Sequence, residues 1–234
     1  MSLEGVRIAP MGESALLVVL GDVIDRGLAA RARAIAAAIE AAPGSGSFGR
    51  PVPAYASVLV PFDPLSLSVA EATEAVAAIV AIVDTTASGA ATATDAGRGD
   101  GRLVEVPVRY GGAEGPDLED VARLHGLRPS DVVELHASAE YEAFFLGFAP
   151  GFAYLGPLPA SLVTPRLDVP RPRVPAGSVA IAGAQSAIYP TDTPGGWRLI
   201  GRTDLRPWDV SRDPPALILP GDRVRFVPVA TAAR

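Results

Sequence analysis

The chain has no cysteine and no lysine among its 234 residues, and only two histidines, His125 and His136. Without cysteine there are no disulfides, no thiolate zinc sites and no cysteine nucleophile. Without lysine there is no Schiff-base chemistry and no lysine for a Walker-type phosphate loop; all 20 basic residues are arginine. Two histidines are too few for a multi-histidine metal centre, which leaves magnesium on carboxylates as the open metal chemistry; no metal ligands are assigned. Long apolar runs are also missing, since none approaches the ~18 residues that span a bilayer. The opening Met1-Ser2-Leu3-Glu4 lacks the basic and apolar regions of a secretory signal, so a cytoplasmic location is expected. A net charge of −6 gives little attraction to nucleic acid or anionic membrane, and neither is expected as a partner.

What is present is ordinary globular composition, 49% hydrophobic and 20% charged. Gly89 to Gly101 is small and polar without periodicity, and reads as a linker over 89–101. It separates a small α+β N-terminal domain, 1–88, from a larger domain, 102–234. In the first, Ala15–Leu20 and Tyr55–Val60 read as strands. Asp25 caps a helix with Leu28, Ala32, Ile35, Ile39 and Ala42 on one stripe, ended by Pro43-Gly44. Ser68 and Glu71 form a capping box ahead of Ala72, Val76, Ile79 and Val83. The second domain opens with alternation over Leu103–Tyr110, then two short helices, Leu118–His125 and Asp131–Ala137, started by Asp117 and Ser130. Short apolar runs follow between proline and glycine turns: Val179–Ala182, Arg198–Ile200, Leu217–Leu219 and Val224–Val227. That pattern predicts a barrel or sandwich.

The two short helices have the outline of a helix-turn-helix, with Gly126 in the turn. Residues 103–163 nevertheless carry three arginines against nine acids, a surface that repels a duplex. From Thr164 to Arg206 the sign reverses, with arginines 166, 171, 173, 198, 202 and 206 against Asp168, Asp192 and Asp204. Arginine suits bidentate carboxylate or phosphate recognition. These arginines either line an anion site or pair with the acids just upstream. Glycine clusters at Gly147–Gly156, Pro175–Gly183 and Thr193–Gly201 suit close backbone approach to a ligand, and equally the tight turns of a small barrel. None fits a dinucleotide or serine-hydrolase motif. Phe148, Phe152 and Tyr154 could wall a flat substrate, although strand aromatics more often serve a core. His136 is either a general base or a cap on the last carbonyls of its helix. Gln185, Tyr189 and Trp197 could orient a small amide-bearing ligand.

The ordered set GGAEGPDLEDVARLHGL, VVELH, FFLGFAPGFAYLGPLP, TPRLDVPRPRVPAGSVAIAGAQSAIYP, TPGGWRLIGRT and PPALILPGDRVRFVPV resembles the carboxyltransferase-type family that holds the B subunit of 5-oxoprolinase, the kinase inhibitor KipI and allophanate hydrolase subunit 1. GESALLV and YASVLVPFDP extend the likeness across nearly the whole chain. The resemblance implies an α+β protein, a small α/β N-terminal domain followed by a cyclophilin-like β-barrel. It implies partnership with the homologous C and large A subunits of 5-oxoprolinase in opening 5-oxoproline to glutamate. ATP with magnesium is then used by the complex, with no evident nucleotide motif in this chain. KipI-like restraint of a histidine kinase and allophanate hydrolysis are its alternatives. Carried over by motif, Arg166, Arg171, Arg173 and Arg202 hold the substrate carboxylate or a phosphate. Gln185 and Tyr189 position the lactam, His136 carries protons, and Gly195 and Gly196 offer backbone donors beside Trp197. The sequence departs from the family pattern at Ala56, Ala153 and Ala187. The last, beside Gln185, replaces a usual glycine.

Overall fold

The structure is a computed structural model that describes residues 5–42, 45–89 and 101–230. The chain divides into two compact units, residues 1–98 and 99–234. Residues 90–100, most of the expected linker, and Pro43-Gly44, the expected helix end, lie outside the described residues.

In the first unit, strands β1 (Arg7–Pro10), β2 (Ala15–Val19), β3 (Val52–Pro53) and β4 (Ser57–Pro61) form an antiparallel sheet in the order β1-β2-β4-β3. Alternation puts Leu16, Val18, Val58 and Val60 on the buried side. Helix α1 (Arg26–Ala41) starts at Asp25, whose carboxylate accepts from the Leu28 N–H at 2.9 Å. Its stripe of Ala32, Ile35 and Ile39 packs into the same core as Ala72, Val76 and Val80 of helix α2 (Val69–Gly89). The Ser68–Glu71 capping box forms as expected: the Glu71 carboxylate accepts from the Ser68 N–H at 2.8 Å, and Ser68 Oγ accepts from the Glu71 N–H. Strands β1 and β3 are absent from the sequence reading because each is a short edge strand containing or abutting proline, which breaks the alternation signal.

The second unit contains β5 (Leu103–Tyr110), α3 (Leu118–His125), α4 (Pro129–Ser138), β6 (Glu140–Leu146), β7 (Ala153–Gly156), β8 (Arg171–Val174), β9 (Ser178–Ala182), β10 (Gln185–Ile188), β11 (Thr193–Gly195), β12 (Arg198–Arg202) and β13 (Arg223–Pro228). Seven of these close a barrel in the order β10-β7-β6-β13-β5-β12-β9, with β8 and β11 as a separate two-stranded ribbon. The β13–β5 pairing is parallel and the other barrel pairings are antiparallel. Barrel closure leaves no free edge among those seven strands. Val106, Val108, Leu155, Ile181, Ile200, Val224 and Phe226 belong to the main core, with Val121, Ala122 and Val132 of α3 and α4 packed into it.

Three local expectations are corrected. Asp117 occupies the N-cap of α3 as expected, but its side chain makes no capping bond; its carboxylate is taken by other groups described below. Ser130 is not the start of α4: Pro129 occupies the first turn, and the Asp131 carboxylate reaches back to the Arg128 N–H at 3.0 Å. Leu217–Leu219 is not a strand. Ile218 is buried there, but the Leu219 N–H donates to the Asp222 carboxylate at 2.9 Å instead of to a neighbouring strand.

Candidate functional site

A cleft of about 110 Å³ opens beside the barrel, lined by Phe148, Phe152, Tyr154, Arg166, Tyr189, Gly195, Gly196 and Trp197. Four stretches distant in sequence build it: the loop between β6 and β7, the segment before β8, the end of β10, and the turn from β11 into β12. Its floor belongs to a second core cluster that includes Phe152, Val174, Ala180, Ala187, Tyr189, Trp197 and Leu199. The rings meet edge to face, Phe152 with Tyr189 at 5.3 Å and with Trp197 at 5.6 Å, and Tyr154 with Trp197 at 5.9 Å. Phe148 stands edge-on to Phe152 at 5.2 Å, yet is 60% exposed.

The backbone shapes this cleft. At Gly195 a Cβ would run into the Tyr189 hydroxyl, so only glycine lets the β11 turn lie against that ring. Phe148 has φ of 66°, left-handed backbone that a β-substituted residue adopts at a cost.

Of the three arginines in the Thr164–Arg173 stretch, the structure brings one to the cleft. Arg166 lies over the Trp197 ring, its guanidinium carbon 5.9 Å from the centroid, and among the described residues it has no carboxylate partner. Arg171 donates to Asp117 at 2.6 Å and Arg173 to Asp192 at 2.6 Å. The expected ring of guanidiniums is thus reduced to one, because the chain's own carboxylates neutralise the other two. Burial raises the Tyr189 phenol above its ordinary pKa, opposed by the Trp197 backbone N–H at its oxygen and by the positive field of Arg166. Burial raises Tyr154 as well, again opposed by Arg166. Both phenols are therefore neutral hydrogen-bond donors at physiological pH, next to a fixed cation. The site suits a small, flat anion: apolar faces for a ring, one guanidinium for a carboxylate, and hydroxyls for a neutral polar edge.

Of the residues expected from sequence, Arg166, Tyr189, Gly195, Gly196 and Trp197 meet in the cleft, and Gln185, Arg171, Arg173, Arg202 and His136 are not in its lining. Gln185 begins β10, half-buried, opposite Ala182. Arg202, on β12, lies close enough to Asp192 and Asp204 to lower both their pKa values. His136 is fully buried in the main core and does not cap carbonyls. Its Nδ1 meets the Tyr110 hydroxyl at 2.8 Å and its Nε2 the Ser186 Oγ at 2.9 Å. Burial depresses its pKa to about 3. A neutral ring with both nitrogens engaged in the core has no proton to offer a ligand in the cleft. Phe148, Phe152 and Tyr154, expected mainly as core, line the site; the density of aromatics between glycines in GFAPGFAYLG was the available signal. Among the described residues no group of three or more histidine, aspartate or glutamate side chains could hold a metal.

A family model described as carboxyltransferase domain, subdomain C and D, matches residues 6–218. A protein of Bacillus subtilis (strain 168), named as the B subunit of 5-oxoprolinase, is 39% identical over 230 residues, covering 96% of this chain and 93% of that protein. Another of that name from Escherichia coli O157:H7 is 59% identical over 129 residues, 55% of this chain; the match spans 59% of that relative's length. Among solved structures, TTHA0988 aligns with a TM-score of 0.76 at 34% identity, covering 95% of this chain and 41% of that longer one.

Proposed function

This chain belongs to the carboxyltransferase domain, subdomain C and D, family, and we propose that it acts as the B-type subunit of an ATP-dependent 5-oxoprolinase, binding 5-oxoproline in the aromatic cleft. The observation that carries the substrate assignment is the pairing of an unneutralised guanidinium, Arg166, with a wall of rings. 5-Oxoproline is a five-membered lactam bearing one carboxylate, and that is the shape and charge the cleft complements. Arg166 holds the carboxylate, Trp197 and Phe152 flank the ring, and the Tyr154 and Tyr189 hydroxyls face the lactam edge. Neutral phenols carry no charge to compete for Arg166, which leaves the single positive charge to the ligand's carboxylate.

The cleft is a poor match to ATP, since it presents one unpaired cation to a triphosphate. The chain has no lysine and no phosphate-binding glycine loop. The nucleotide is therefore handled elsewhere in a complex with the homologous C and large A subunits, and this chain contributes substrate binding and orientation.

The test is reconstitution with those two partners. The complex should release glutamate and ADP from 5-oxoproline, and Arg166→Gln should raise KM at least tenfold, about 1.4 kcal/mol of binding, with the variant still folded. Absence of turnover with either partner or both, together with binding to a sensor histidine kinase, would replace this reading with a regulatory one.

A further inference from the structure

The cleft wall Gly195-Gly196-Trp197 is bracketed on both sides by one carboxylate. Asp117 is buried, and its Oδ2 accepts from the Leu199 N–H at 2.6 Å while its own N–H donates to the Leu199 oxygen at 2.9 Å. Leu199 lies two residues beyond Trp197. The other oxygen, Oδ1, accepts from Arg171 Nη2 at 2.6 Å. Arg171 is the residue of β8 that stands opposite Gly195 of β11. A single side chain at the start of α3 thus fixes the strand leaving the wall and, through Arg171, the ribbon entering it.

We infer that the Asp117–Arg171 pair is a positioning device for the substrate cleft: it sets where Gly195, Gly196 and Trp197 stand and touches no ligand itself. Three observations converge on this. Asp117 makes no capping bond to the helix it precedes, so its side chain is spent on the wall. Arg171 is turned from the cleft lining to the carboxylate, whereas Arg166, seven residues before the end of the same stretch, stays in it. And Arg171 Nη1 is buried without a hydrogen-bond partner, so this guanidinium has given up solvation on one side to keep the contact with Asp117 on the other. A partly buried ion pair is weak evidence for stability; its best-attested use is to fix the register of the elements it joins. In this protein the elements held are those that carry the cleft wall.

The inference rests on the proposed binding site, and its test separates the two. The chain has two tryptophans, so Trp208→Phe leaves Trp197 as the sole indole reporter of the wall. In that background Asp117→Asn, which keeps an acceptor for the Leu199 N–H but loses the charge for Arg171, should shift Trp197 emission to the red. Arg171→Gln should do the same, and Arg171→Lys should recover part of the change. In the reconstituted complex, Asp117→Asn and Arg171→Gln should raise KM for 5-oxoproline at least fivefold while kcat moves less than threefold. Arg171→Lys should again recover part of the loss. A lowered melting temperature with unchanged Trp197 emission and unchanged KM would reduce the pair to a structural contact and overturn the inference. So would an Arg171→Gln variant that loses substrate affinity with unaltered Trp197 emission, since Arg171 would then touch the ligand directly. If Asp117→Asn does not fold, the two Arg171 variants decide by the same readouts. Should Arg166→Gln leave KM unchanged while Trp197 emission still responds to Asp117→Asn, the clamp stands and the substrate assignment falls.

Discussion

Two clusters in the barrel unit set phenols and a basic group among aromatic rings. In one, Tyr110, His136 and Ser186 meet beside Tyr141 and Phe226; in the other, Tyr154, Tyr189 and Arg166 meet beside Phe152 and Trp197. The first is closed. With the ring proton on Nε2, Tyr110 donates to Nδ1, Nε2–H donates to Ser186 Oγ, and the Ser186 hydroxyl donates to the Ala180 oxygen at 3.3 Å. With that tautomer every polar atom in the chain of contacts has a partner. The second is open: the guanidinium has no carboxylate, and the rings surround space instead of each other. Similar side chains thus serve cohesion in one place and recognition in the other, and what separates them is the basic group: both His136 nitrogens have partners in the core, whereas Arg166 has no carboxylate among the described residues.

The largest effect should come from breaking the closed cluster. His136→Leu strands the Tyr110 hydroxyl in the core, leaves Ser186 only its contact with the Ala180 oxygen, and should cost about 3 kcal/mol of the barrel unit's stability. Both tryptophans lie in that unit, so the midpoint of a denaturant titration followed by their emission measures it. The pH dependence has a definite sign. The folded pKa of about 3 is below the ordinary 6.5, so between those values the unfolded chain binds the extra proton. The stability is fully present above about 6.5 and falls with pH toward 3, by up to about 1.4 kcal/mol per pH unit. His136→Leu should flatten that limb between pH 6.5 and 4.5. A proton-carrying His136 would instead lose at least a hundredfold in kcat, with the limb intact.

An intermediate effect should come from closing the open cluster. Gly195→Ala drives a methyl against the Tyr189 hydroxyl, and the rigid ring has to swing into the cleft. Affinity for 5-oxoproline should fall about tenfold, near 1.4 kcal/mol, measured as KM in the complex. An unchanged KM would show that Tyr189 can move without cost to the ligand, and the two clusters would no longer differ in the way described.

The difference between the clusters is poorly visible in sequence, although much of the fold is not. Periodicity and capping chemistry mark β5, α1 and the start of α2, since their signals are local: alternating valines, a four-three apolar stripe, Ser68 three residues before Glu71. The partners of Arg171 and Arg173 lie 54 and 19 residues away, at Asp117 and Asp192, and spacing does not report which carboxylate will reach which guanidinium. At a helix end His136 reads equally as a general base or a cap on the last carbonyls; what decides its role is the pair of partners Tyr110 and Ser186, 26 and 50 residues distant. The cleft glycines and Arg166 were legible through their clustering. Phe148, Phe152 and Tyr154 stay ambiguous from sequence: their density between glycines points to a wall, but a strand aromatic in a core has the same alternation. Family resemblance supplied the order of the motifs and left their pairing to the fold.

The smallest effect, at Phe148, tests whether the open cluster is maintained at a cost. A phenylalanine at φ of 66° is strained by about 1–2 kcal/mol, and at 60% exposure it recovers little of that through burial. A position selected for stability would carry glycine. Comparing Phe148→Gly with Phe148→Ala removes the ring in both and leaves the backbone strain only in the alanine variant. Outside the left-handed region alanine is the more stable of the two; here glycine should exceed alanine by about 1 kcal/mol in the same fluorescence-monitored titration. Both variants should bind 5-oxoproline more weakly, because the ring that stands edge-on to Phe152 and Tyr189 is the exposed rim of the cleft. Stability rising from alanine to glycine while affinity stays low in both would identify a residue kept for its ring against the preference of its backbone. The reverse order of stability would show that the loop relaxes around any side chain, and the cleft would then be held open without strain.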